Sequence, residues 1–104
     1  MTQPLVKNAA DESQVKGAEQ KMKSAREREL ADMRFILSTA QGRRVIWRYL
    51  EACGVFQISF NHSGAITSFN EGMRNIGLKL LTDINDAAPE AYVTMLKEKE
   101  TRNV

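Results

Sequence analysis

A chain of 104 residues with 27 % charged and 42 % hydrophobic side chains suffices for one soluble domain and is too short to divide into two cores. Its apolar runs fall far below the roughly 20 residues that cross a bilayer, and the start has no hydrophobic signal core, so no membrane anchor is expected. The net charge is +2, and the whole excess sits in residues 33–54, where Arg34, Arg43, Arg44 and Arg48 face Glu51 alone.

Residues 1–12, with Pro4, Asn8 and no apolar period, are expected to form a disordered tail. Residues 13–31 are good helix formers and form a charged helical arm. Val15, Ala18, Met22 and Ala25 follow a heptad-like spacing, but Glu29 occupies the next apolar position, so no sustained coiled coil is expected. The better patterned Leu30, Met33, Ile36 and Leu37 extend the arm onto the core. Thr39 is placed to cap the next helix and Gly54 to close it. Val45, Ile46, Tyr49, Leu50 and Cys53 fall on one face between them, centred at about 70° when Val45 is set to 0° and each residue adds 100°.

Val55 to Phe60 alternates apolar and polar residues but has no second strand to pair with, so an extended connector is expected. His62, Ser63 and Gly64 supply turn chemistry. Ser68 and Glu71 then have capping-box spacing, which starts a helix running to about Asp86. Its stripe is Phe69, Met73, Ile76, Gly77, Leu80, Ile84 and Ala87, with Gly77 letting another element approach closely. Leu78 and Leu81 widen that surface, to be covered by the arm, the last helix or a partner. Pro89 suits the first turn of a final helix with Tyr92, Val93 and Leu96 inward. Residues 100–104 fray. The fold class is therefore all-α, a small three- to four-helix domain with a charged N-terminal arm.

No residue cluster calls for catalysis. His62 is the only histidine, and Cys53, the only cysteine, lies on an apolar stripe as a small core residue. Gly72 and Gly77 lack the surroundings of a phosphate loop, and no catalytic, cofactor-binding or metal residue is assigned. The remaining group is Arg43, Arg44, Trp47 and Arg48. Arg44 and Arg48 point away from the core stripe, and Trp47 lies beyond its edge. Arginine and tryptophan are common interface anchors, so these four, with Leu78, are the candidate partner-binding residues. Three arginines on a helix also allow phosphate contact, a second reading because the domain is only weakly basic.

The run from Ser38 through Gln41-Gly42-Arg43-Arg44-Val45-Ile46-Trp47-Arg48, the run Phe69-Asn70-Glu71-Gly72-Met73-Arg74-Asn75-Ile76-Gly77-Leu78-Lys79-Leu80-Leu81, and Pro89-Glu90-Ala91-Tyr92 together resemble a family of small phage proteins. That family is a helical domain encoded near the portal and major capsid genes of short-tailed bacteriophages. The resemblance covers residues 32–99 and implies a non-enzymatic structural or assembly role. Its implied partners are portal- or capsid-region proteins, with several copies in the virion after synthesis in the host cytoplasm. A small DNA-associated or host-directed accessory protein is the alternative. No catalytic residue is carried over from the family.

Overall fold

The computed structural model describes residues 9–102, which form four helices: α1 (Ala9–Leu37), α2 (Ala40–Ala52), α3 (Gly64–Ala87) and α4 (Pro89–Arg102). No strand occurs among the described residues, and Gln57 to Asn61 form an irregular connector. The domain is all-α.

α1 begins at Ala9, inside the stretch expected to be a tail. Ala9 and Ala10 are strong helix formers, and Asp11 and Glu12 sit favourably in the first turn against the helix dipole. The rest of the expected tail, residues 1–8, lies outside the described residues, as do 103 and 104. The helix runs unbroken across the expected boundary between arm and domain. Residues 10–24 are exposed throughout, whereas Ala25, Arg26, Leu30 and Met33 are half-buried and Leu37 is buried. α1 is thus two things in one rod about 44 Å long: an exposed projecting half and a docked half. The molecule accordingly measures 72 × 40 × 15 Å.

The docked half is held to α3 by a charge clamp. Arg26 donates to Asp83 at 2.7 Å and Asp86 at 2.9 Å, with Glu29 at 3.2 Å. The hydrogen bond to Asp83 leads, and that to Asp86 follows, in raising the guanidinium's affinity for its proton. Arg34 adds a bond to the carbonyl of Ala87, one of the acceptors left open at the end of α3.

Thr39 caps α2, its hydroxyl accepting from the amide of Gly42 at 3.0 Å. At the other end Gly54 takes φ = 74°, and two bonds close the helix: Gly54 N–H to Glu51 C=O and Val55 N–H to Leu50 C=O. This pair is the Schellman arrangement, with its usual apolar contact between Val55 and Leu50, both buried. Val55 thereby turns back into the core, and the expected extended connector begins only after it.

α3 starts earlier than its capping-box spacing implies. Ser63 is the cap, accepting from Ile66 N–H at 3.3 Å. Asn61 Oδ1 accepts from Ser63 N–H, and Thr67 Oγ1 accepts from Asn61 N–H, so a network of short polar side chains fixes the earlier start. Ser68 is left inside the helix, and Glu71 instead accepts a hydrogen bond from the Ser59 hydroxyl. Pro89 opens α4 as expected. The helix continues to Arg102, past the expected fraying point at 100.

The core comprises Leu37, Ile46, Trp47, Leu50, Val55, Ile84, Ala88, Ala91 and Met95. Two expected faces are rotated, on α2 and α4, whereas on α3 the buried Gly77, Ile84 and Ala87 all lie on the expected stripe. On α2 the buried arc is centred near Leu50, at about 140° instead of about 70°, because the helix packs on both α3 and α4. Val45 and Tyr49 are consequently exposed. On α4 the inward residues are Ala91 and Met95, while Val93 and Leu96 face out and Tyr92 is half-buried. On α3, Phe69 and Ile76 at the edge of the expected stripe are exposed. Gly77 does serve a close approach: a Cβ there would lie 2.3 Å from Val55 Cγ2 and 2.7 Å from Cys53 Cβ, so the turn closing α2 is what it admits.

Candidate functional site

The five candidate contact residues divide once they are placed. Trp47 is 2 % exposed, a core residue and not a rim residue. Its indole stacks on Phe56 with ring centroids 5.1 Å apart, meets Tyr92 at 6.3 Å, and carries Lys99 Nζ 5.4 Å above its face. Its Nε1 is buried with no hydrogen-bond partner among the described residues, so ring packing and the Lys99 cation hold it. Leu78 is half-buried against the core. Trp47 presents no free surface to a partner, and Leu78 keeps only part of its side chain exposed.

Arg43 is also committed internally. Its Nε and Nη2 reach the two oxygens of Glu98 at 2.8 and 3.3 Å, and Nη1 donates to the carbonyl of Leu37 at 2.9 Å. One guanidinium therefore ties the end of α1, the start of α2 and the last turns of α4 together. The Arg43 hydrogen bond is the largest cause holding the Glu98 carboxyl below its ordinary value, and the positive fields of Arg102 and Arg44 add to it. Of the five residues, Arg44 and Arg48 remain exposed, one turn apart on the outer side of α2.

A second surface was not singled out in the sequence. Where α2 ends, Ala52, Cys53 and Gly54 face Ile58 of the connector and Phe69 and Met73 of α3 across an open cleft of about 140 Å³. Ile58 is 88 % exposed and Phe69 67 %. Ile76 continues the Phe69–Met73 row one turn further along α3, and Phe60 is exposed beside Ile58 in the connector. The backbone presenting these side chains is held in place. Asn70 Nδ2 donates to Ser59 C=O at 3.1 Å, Ser59 Oγ donates to Glu71, and Thr67 Oγ1 donates to Asn61 C=O at 3.0 Å. Polar side chains of α3 thus anchor the connector while its apolar side chains point outward.

The signal that could have found this surface was present. Phe69 and Ile76 sit at one edge of the α3 stripe, and the alternation in 55–60 leaves Ile58 and Phe60 on one side of an extended segment. No cluster of three or more potential metal ligands occurs among the described residues, and none of their helices is long and apolar enough to cross a membrane. A family model described as Bbp19-like phage protein matches residues 33–97, from the docked end of α1 through most of α4. No curated protein and no solved structure matches the chain.

Proposed function

The chain belongs to the Bbp19-like phage proteins, and from that premise we propose that it is a non-enzymatic structural or assembly component of the phage particle, docking on a larger portal- or capsid-region protein. The observation that carries this reading is the row of exposed apolar side chains along the cleft between the end of α2 and the first half of α3. Ile58, Phe69 and Ile76 stand out of a hydrogen-bonded scaffold, so the apolar surface is fixed before any partner arrives. A preformed apolar surface flanked by Gln57, Ser59 and Asn70 has the make-up of a protein interface, an apolar centre with a polar rim. Each large side chain seated in a partner's pocket contributes about 2 kcal/mol.

The reading is tested by quantitative mass spectrometry of purified, nuclease-treated particles carrying this gene, with portal and capsid proteins as copy-number standards. A reproducible ratio to those proteins supports a virion component, and a multiple of twelve places it with the portal. Copies lost together with the genome would make it an internal, ejected protein. Complete absence from particles and from assembly intermediates would refute the reading.

A further inference from the structure

The basic side of the molecule is separate from the cleft between α2 and α3 and has its own chemistry. Arg44 and Arg48 project from α2 about 6 Å apart along its axis. Arg102, exposed one turn beyond Glu98 on α4, comes near the Arg44 end of this row, because Arg43 ties Glu98 to the start of α2 at 2.8 Å. Lys99 adds a further cation on α4, its ammonium over the face of the buried Trp47. Three carboxylates accompany these cations: Glu98, already held by Arg43, Glu51, one turn beyond Arg48, and Glu100, two residues before Arg102. On this outer ridge of α2 and α4, Arg44, Arg48, Lys99 and Arg102 outnumber the two remaining carboxylates, Glu51 and Glu100, and no ion pair among the described residues absorbs the excess.

We propose that this α2–α4 ridge binds the phosphate backbone of duplex DNA through Arg44, Arg48 and Arg102. An acidic protein is the less fitting partner. A protein interface needs apolar anchors at its centre, and the aromatic residue at this position, Trp47, is buried beneath the ridge. Long cationic side chains on rigid helices are what phosphate contacts require, and such contacts position a duplex without reading its bases. The ridge therefore binds without sequence preference, and the protein contacts packaged or passing DNA with one side while its cleft faces protein. The inference does not depend on the docking reading, because no residue is shared between the two surfaces.

The test is fluorescence anisotropy of a labelled duplex of about 20 base pairs with the full chain, titrated from about 50 to about 200 mM salt. Three phosphate contacts predict a log–log slope of about −2.7, which is an affinity loss of about 40-fold across that range. Arg44→Gln with Arg48→Gln should reduce the slope to about −0.9 and the loss to about 3.5-fold, whereas Arg44→Lys with Arg48→Lys should keep the parent slope. Phe69→Ser should leave it unchanged. The proposal is overturned by no binding at the lowest salt, by a slope indifferent to the glutamine changes in a chain of unaltered circular dichroism, or by polyglutamate competing as well as DNA at equal charge. The last result would assign the ridge to an acidic protein.

Discussion

Three helical glycines carry the same change in intrinsic propensity and differ only in the space around them, so alanine at each isolates the packing effect. Replacing glycine by alanine inside a helix gains about 0.8 to 1.0 kcal/mol. At Gly72 nothing lies within 4 Å of the added methyl, and the full gain should appear, raising the melting temperature by about 4–8 °C. At Gly77 the methyl would sit 2.3 Å from Val55 Cγ2, which can rotate, and 2.7 Å from Cys53 Cβ, which cannot. Overpacking of this kind costs about 1–3 kcal/mol, so the net effect is a loss of about 0–2 kcal/mol. At Gly42 the methyl would lie 1.8 Å from the carbonyl oxygen of Ile36, a backbone atom fixed in the last turn of α1. Relief requires the two helices to move apart, which puts the cost at or above the top of the same range and outweighs any gain in propensity. Melting followed by circular dichroism should therefore rank Gly72→Ala above the parent, Gly77→Ala at or below it, and Gly42→Ala lowest, by about 5–15 °C. A Gly42→Ala chain that melts at or above the parent would refute the close approach of α1 and α2.

Trp47→Ala should cost about 3–5 kcal/mol, as much as a folded part of this size is expected to have, and leave the chain largely unfolded at 25 °C. A cooperative melt within a few degrees of the parent would show that the indole is not in the core. Because Arg43 holds the Glu98 carboxyl below its ordinary value, folding gains from that pair in full above the ordinary carboxylate range, and the gain is lost as pH falls through the lowered value. Glu98→Gln should accordingly be less stable than the parent near neutrality, with the two urea-unfolding curves converging in acid; a constant gap down to the acid limb would contradict the pair. Neutralising Arg26 with Arg26→Gln should speed amide hydrogen exchange in the docked half of α1, residues 25–37, and leave α2 unchanged. Equal exchange in parent and variant would remove the clamp to Asp83 and Asp86 from the account.

The elements were legible where a local rule decides them. Thr39 could be recognised as a cap, Gly54 as a left-handed closure and Pro89 as a first-turn residue, because each depends on atoms within four residues. The start of α3 was misjudged because two serines compete. Ser68 has the better capping spacing, but Ser63 has Asn61 and Thr67 to brace it, and that network forms only when the connector folds back. The phase of α2 was also hidden. Val45, Ile46, Trp47, Tyr49, Leu50 and Cys53 occupy more than half of the helix circumference, and a short helix so rich in apolar residues has no unique stripe. The choice falls to α4, which draws Trp47 inward and leaves Tyr49 outside.

Long-range pairings were out of reach for a different reason. Arg26 meets Asp83 and Asp86 across nearly 60 residues, and Arg43 meets Glu98 across 55. Charged residues at those positions read equally well as solvated helix faces. The exposed apolar row carries the same ambiguity in reverse, since Phe69 and Ile76 at a stripe edge look like core until the neighbouring helix is seen to pass them by. The exposed arginines were found correctly as outward-pointing, but the tryptophan beside them belongs to the core.

The central claim is that the cleft between α2 and α3 is covered by protein in the particle, and hydroxyl-radical footprinting of the purified chain and of intact particles tests it directly. Ile58, Phe69 and Met73 should oxidise readily in the free chain and be protected in the particle, while Trp47, buried in both, stays slow throughout. Equal oxidation of those three residues in the two samples would contradict the account.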